Sequence, residues 1–235
     1  MIEFGHGTHV GLRRTRNEDT YYADASSGLF LVADGMGGHQ HGEVASALVR
    51  DAVVQLVSSG RSLIDAVNGA AKQLLESTRS CLDVLPMGTT VAALLIREGG
   101  YELAWVGDSR IYRWKQKQSL QQISHDHSLV QALVEAGQLD PALAQRHPQR
   151  NLLTQALGVT STEQLRIGMA KGSFEPGTTL LLCSDGLTEC VHDEAIAQVV
   201  ARFDLAAQEC VEHLLLNALD AGGDVIITVL VVRSR

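Results

Sequence analysis

The sequence predicts an α+β fold in which antiparallel β-sheets pack against each other and helices cover them from outside. Three observations lead there. Short apolar runs separated by turn residues follow one another from Thr89 onward, two long segments carry apolar residues at helical spacing, and strands do not alternate one by one with helices. In chain order, Leu29 to Ala33 reads as a buried strand, and Gly42 to Ser58 as a helix with Val44, Leu48, Val49, Val53 and Leu56 at helical spacing. A second helix covers Ser62 to Cys81. Thr89 to Ile96, Tyr101 to Val106 and Ile111 to Trp114 form a meander, joined by Glu98-Gly99-Gly100 and Gly107-Asp108-Ser109. Ser128 to Ala136 and Pro141 to Arg146 read as short helices, Thr179 to Cys183 as a buried strand, Glu194 to Ala201 and Leu205 to Leu219 as helices, and Ile226 to Val232 as a closing strand.

The 235 residues, 45% hydrophobic and 20% charged, suffice for one sizeable core, and no linker, repeat or low-complexity tract marks a boundary, so a single domain over 1–235 is expected. With 27 acidic against 19 basic side chains the formal charge is -8, which disfavours nucleic acid and anionic membranes as partners and suits cations. The N-terminus lacks a basic region followed by an apolar stretch, and runs such as Val225 to Val232 are too short to span a bilayer; the expectation is a cytoplasmic monomer. Cys81, Cys183, Cys190 and Cys210 form no C-x-x-C pair and read as free buried thiols. None has an arginine six residues on, so a phosphate-cradling cysteine nucleophile is absent.

Chemistry concentrates at corners that follow apolar strands: Ala33-Asp34-Gly35, Val106-Gly107-Asp108 and Ser184-Asp185-Gly186. A carboxylate at the end of a rigid strand is well placed to hold a metal, and the glycine permits a sharp turn that can leave a carbonyl in the same site. One Asp-Gly corner is an ordinary turn. Three of them, with Glu18 and Asp19, make a cluster whose repulsion calls for cations. Oxygen-only ligands select Mg²⁺ or Mn²⁺, and two such ions sharing a water can direct it at phosphorus without a side-chain nucleophile.

The ordered motifs Arg14-Thr15-Arg16-Asn17-Glu18-Asp19, Val32-Ala33-Asp34-Gly35-Met36-Gly37-Gly38-His39, Met87-Gly88-Thr89-Thr90, Trp105-Val106-Gly107-Asp108-Ser109-Arg110, Asp126-His127-Ser128 and Cys183-Ser184-Asp185-Gly186-Leu187 resemble the bacterial branch of the PPM-type metal-dependent serine/threonine protein phosphatases. The resemblance runs along nearly the whole chain. It implies a four-layer α-β-β-α sandwich and hydrolysis of phosphoserine and phosphothreonine in proteins of a Ser/Thr kinase pathway. It also implies that Asp34 bridges two ions, Gly35 offers its carbonyl, Asp185 completes one shell, and Glu18 and Asp19 hold metal-bound waters. Asp108 with Asp185 would hold a third ion. Arg14, three residues before Asn17, matches the arginine that grips the substrate phosphate, a role suited to its planar fork of donors; Arg13 and Arg16 are read as solvated.

Many eukaryotic members place a histidine two residues after the bridging aspartate, where this chain has Met36, and His39 is the nearest substitute as general acid, with metal-bound water as the rival. His41, His125, His127 and His147 are read as loop or surface residues. Residues 125–158 resemble the flap segment that lies beside the active site in bacterial members and shapes substrate choice. The pattern breaks near the C-terminus. Members carry an Asp-Asn pair before a final Ile-Thr-Val strand, whereas here Val225 and Ile226 occupy those positions and Asp224 stands one residue early. A one-residue shift in an extended segment reverses a side chain's face, so Asp224 joins the metal ligands only if the turn after Gly223 compensates. That departure leaves open a metal-poor pseudophosphatase that binds phosphoproteins, and, further off, a hydrolase of small phosphate esters.

Overall fold

The computed structural model describes residues 1–37, 41–80, 87–116 and 118–235. Two antiparallel sheets lie face to face. One has the order β1-β11-β10-β7-β8, built from β1 (Ile2–His9), β11 (Ile227–Ser234), β10 (Thr178–Cys183), β7 (Arg110–Lys115) and β8 (Gln121–Gln122). The other has the order β2-β3-β5-β6-β9, from β2 (Asp19–Asp24), β3 (Leu29–Met36), β5 (Val91–Arg97), β6 (Gly100–Val106) and β9 (Gly168–Ser173), with the short β4 (Gly88–Thr89) paired to the end of β3. Helices α1 (His41–Ser58) and α2 (Leu63–Ser80) cover the second sheet, while α5 (Asp185–Thr188), α6 (Asp193–Val200) and α7 (Ala207–Asp220) cover the first.

Alternation along the strands builds the layers, because successive side chains point to opposite faces. In β3, Leu29, Leu31 and Ala33 pack under α1 and α2, whereas Phe30 and Val32 join Ala92, Leu94, Leu180, Leu182, Leu230 and Val232 between the sheets. In β11, Val229 and Val231 face the helices and Leu230 and Val232 face inward. The expected four-layer α-β-β-α sandwich is therefore what the chain forms. Asp34 has the parity of Phe30 and Val32, and Thr228 that of Leu230 and Val232. Both inner faces thus turn polar at the same end of the sandwich.

Three details depart from the expectations. Helix α1 buries Ala45, Val49, Ala52, Val53 and Val57, while Val44 and Leu48 stay 47% and 40% exposed; the small residues let the helix lie close on β3. The N-terminal Ile2–His9 segment is a strand paired along its whole length with β11, from Ile2↔Ser234 to His9↔Ile227. Its apolar content is too low to announce a buried strand, because it is an edge. The strands β2 and β9 are likewise edges of mixed polarity.

Within 125–158, α3 (Leu129–Glu135) is capped by the Ser128 hydroxyl, which accepts from Gln131 N–H at 3.2 Å. The shorter α4 (Pro141–Ala144) is capped by Asp140, with proline in its first turn. Neither helix contains a buried residue, so this segment rides on the sandwich rather than building its core. Cys183 and Cys210 are buried free thiols and Cys190 is partly exposed; Cys81 lies outside the described residues.

Candidate active site

The polar end of the sandwich opens into a cleft of ≈ 370 Å³ lined by Arg14, Glu18, Asp34, Gly35, Asp108 and Asp185, together with Thr90, Asn151, Val225 and Ile226. Residues 151 positions apart in sequence thus meet because each sheet contributes one strand end: β3 brings Asp34 and β10 leads into Asp185. Two glycines permit the approach. A Cβ on Gly35 would lie 2.0 Å from the Gly42 carbonyl oxygen and 2.5 Å from that of Glu18, and one on Gly186 would lie 2.0 Å from the Ile226 carbonyl oxygen. Any larger residue would push β3 away from α1, or α5 away from the start of β11.

The backbone of Asp34 is held on both sides. Its N–H donates to Thr90 Oγ1 at 3.0 Å, and its carbonyl accepts from Thr90 N–H at 2.9 Å and from Thr89 Oγ1 at 2.9 Å. The Thr90 hydroxyl in turn meets Ser109 Oγ at 2.7 Å, so the Asp34 and Asp108 corners are linked through two hydroxyls. Ser46 Oγ donates to the Glu18 carbonyl at 2.7 Å, and Gly35 N–H to the same carbonyl at 3.1 Å.

The carboxylates strain against one another. Burial, followed by the charges of Asp19, Asp185 and Asp108, holds Asp34 well above the ordinary carboxylate range. Burial, followed by Asp108 and Glu189, does the same to Asp185. Asp108 is pushed up to about 7, first by burial and then by the Asp126 charge, with Arg110 opposing. Asp19 is raised first by burial, with the hydrogen bond from the Thr228 hydroxyl opposing, and its Oδ1 is buried with no hydrogen-bond partner. Among the described residues no three His, Cys, Asp or Glu side chains stand at the spacing of a closed metal shell. What they form is a crowded acidic cluster with an orphaned oxygen, and its all-oxygen chemistry fits hard divalent cations.

The structure does not bring Asp224 into this cluster. The turn after Gly223 docks on the Gly11–Arg13 loop instead: Leu12 N–H donates to the Gly223 carbonyl at 2.8 Å, and Arg13 Nε lies 3.0 Å from Asp224 Oδ2. The cleft wall there is Val225 and Ile226. Arg13, read from sequence as solvated, is thus the ion-pair partner of Asp224, which it meets at the surface. Arg14 faces the cleft. His39 lies outside the described residues. His127, read as a loop or surface residue, lies half-buried in a loop: its backbone N–H donates to the Gly107 carbonyl at 2.8 Å and its Nδ1 accepts from Gly107 N–H at 3.3 Å, fixing the loop that carries Asp108.

The sequence profile of protein phosphatase 2C matches residues 7–220. The chain belongs to the protein phosphatase 2C family. It is 36% identical over 239 residues to the protein phosphatase PhpP of Streptococcus pneumoniae, covering 97% of this chain and 96% of PhpP. It is also 36% identical over 237 residues to the serine/threonine protein phosphatase PstP of Mycobacterium tuberculosis, covering 98% of this chain but 45% of PstP, so it spans about half the length of that relative. The crystal structure of the Mycobacterium tuberculosis phosphatase superposes with a TM-score of 0.90 at 34% identity, over 99% of this chain and 98% of that one. A PstP catalytic domain in complex with two manganese ions superposes with a TM-score of 0.85 at 33% identity, over 99% of this chain and 97% of that one.

Sequence alone assigns no role to several residues in and around this phosphatase 2C cleft. Thr90, Ser109, Ser184 and Thr228 are buried hydroxyls, and only their position directly beside an aspartate corner or in an otherwise apolar strand hints that each needs a polar partner. Asn151 lines the cleft from the flap side and donates through Nδ2 to Glu189 Oε1 at 2.7 Å. A second cavity of ≈ 290 Å³ shares Asp108, Asn151 and Asp185 with the cleft and extends beneath Ser128, Arg146 and Arg150.

Proposed function

We propose that this chain hydrolyses phosphoserine and phosphothreonine in proteins, with Mn²⁺ or Mg²⁺ held by Asp34, the Gly35 carbonyl and Asp185, and a third ion at Asp108. The observation that carries this reading is that Arg14 and the Asp34, Asp108 and Asp185 carboxylates line one cleft. When bound, the ions lower the pKa of a water and offset charge on the phosphoryl group.

The residues of the chain do the rest. Arg14 presents a planar pair of donors to the phosphate oxygens and orients the ester. Glu18 and Asp19 accept hydrogen bonds from waters at the acidic cluster. Val225 and Ile226 make one wall apolar and limit bulk water there. His39 is retained as a candidate proton donor to the leaving alkoxide, with water as the alternative. Asp224 is left out of the ligand set because Arg13 engages it. Residues 125–158 act as the flap, and the cavity beneath Arg146 and Arg150 receives peptide flanking the phosphorylated residue. The setting proposed is cytoplasmic, in a bacterial Ser/Thr kinase pathway, with the chain working as a monomer.

Initial rates on an aryl phosphate and on a phosphopeptide, with and without Mn²⁺, test this reading. Mn²⁺-dependent turnover of both is expected, with Asp34→Ala reducing it about 100-fold or more. Full activity in Asp34→Ala would sink the assignment, and phosphopeptide binding without turnover would turn it into the pseudophosphatase reading.

A further inference from the structure

Asp19 is the residue beneath the cleft whose surroundings are most fully specified. It pairs with Asp34 across β2 and β3, and it is only 8% exposed. Its Oδ2 accepts from Thr228 Oγ1 at 2.6 Å. That bond commits the Thr228 proton, so in the 2.8 Å contact between the Thr8 and Thr228 hydroxyls Thr8 is the donor. Thr8 Oγ1 accepts in turn from Asn17 Nδ2 at 2.8 Å, and the other end of the same amide, Oδ1, accepts from Asp19 N–H at 3.0 Å. The bonds close a ring running from Asn17 to Thr8, Thr228, Asp19 and back to Asn17, with every donor assigned.

This ring crosses the sandwich. Thr8 lies on β1 and Thr228 on β11, in one sheet, while Asp19 begins β2 in the other. Thr228 is fully buried in a strand otherwise apolar from Ile226 to Val232, where valine would have the same shape without a polar group to satisfy. Its backbone N–H donates to Ser184 Oγ at 2.9 Å, beside Asp185. The ring satisfies one Asp19 oxygen and leaves Oδ1, buried and without a partner, on the carboxylate whose residue is the cross-strand neighbour of Asp34.

We propose that Thr228, backed by Thr8, is a positioning residue that turns the free oxygen of Asp19 toward the metal cleft and so sets divalent-ion affinity without touching an ion. Groups that orient a metal site from behind commonly change affinity 10- to 100-fold when removed. Here the demand is greater because Val225 and Ile226 supply no carboxylate on the facing wall. The inference rests on the metal-dependent reading above.

Titration calorimetry of the metal-free full chain with Mn²⁺ tests it, with melting temperatures of the metal-free proteins measured alongside. Thr228→Val is expected to weaken Mn²⁺ about 10-fold, Thr228→Ser to restore wild-type affinity, and Thr8→Val to weaken it about threefold. Unchanged Mn²⁺ affinity in Thr228→Val, whatever its melting temperature, overturns the proposal by reducing the ring to a fold-stabilising contact. Should Thr228→Val not fold, Thr8→Val decides in the same way, since Thr8 is at the exposed edge strand. A wild-type chain that binds no Mn²⁺ overturns the metal-dependent reading and this inference with it.

Discussion

Arg13 Nε stands 3.0 Å from Asp224 Oδ2, which clasps the loop carrying Arg14 to the turn before β11. An aspartate that would join the metal ligands only if the turn after Gly223 compensated therefore serves the neighbouring loop. The pair is exposed, with side-chain accessibilities of 79% and 43%, so it contributes at most about 1 kcal/mol. Asp224→Asn is accordingly expected to leave Mn²⁺ affinity within about twofold while raising KM for a phosphopeptide by about two- to threefold. A tenfold loss of Mn²⁺ affinity would show instead that Asp224 reaches the cleft.

Val225 and Ile226 line the cleft without offering oxygen donors. Replacing them as Val225→Asp with Ile226→Asn adds a carboxylate to the wall facing Asp34 and Asp185. Tighter Mn²⁺ binding by about 10-fold, read by calorimetry, is expected. Equal or weaker binding would mean that the existing ligands already saturate the ion.

Beside the cleft, Arg110 holds Asp126 with Nε 3.0 Å from both carboxylate oxygens and an amino group 2.7 Å from one of them, while Gln122 donates to the same carboxylate at 2.9 Å. Arg110 also meets the buried Tyr112 hydroxyl, which donates to Asp193. Arg110→Ala strands a mostly buried carboxylate and is expected to lower stability by about 2–4 kcal/mol in urea unfolding. Arg110→Ala with Asp126→Ala should lose less than the two single changes combined, and strict additivity would show that the two residues do not act as a pair.

The pH dependence of the metal-free chain follows from Asp19, Asp34, Asp108 and Asp185, all shifted upward. A carboxyl with a raised folded pKa holds more protons folded than unfolded, so stability falls as pH rises from the unfolded value near 4 through the folded value, about 7 for Asp108. His127, lowered by burial, opposes this only below its ordinary value of about 6.5. The melting temperature of metal-free protein is therefore expected to drop between pH 5 and 8, and saturating Mn²⁺ should flatten the slope. A metal-free melting temperature that rises steadily to pH 8 would contradict the raised carboxyls.

Much of this was legible in the residues. Central strands such as Leu29 to Ala33 and Thr179 to Cys183 declare themselves by continuous apolar runs, and Asp34, Asp108 and Asp185 by their position just beyond such runs. Edge strands hide, because β1, β2 and β9 bury only part of one face and mix polar with apolar residues. The placement of Asp224 outside the cleft could not be read, since it depends on whether a two-glycine turn folds inward or docks on Gly11–Arg13. The hydroxyl ring around Asp19 was equally silent, because threonine is an ordinary strand residue and its partners lie up to 220 positions away.

Since β3 and β10 belong to different sheets, each half of the sandwich alone owns only part of the acidic cluster. Ion uptake can then report on assembly as well as on catalysis: a chain whose sheets have separated has no place for the ion, and a loaded ion works as a rivet across the seam. Amide hydrogens at the ends of β3 and β10 should exchange together, and slow together, when Mn²⁺ is added.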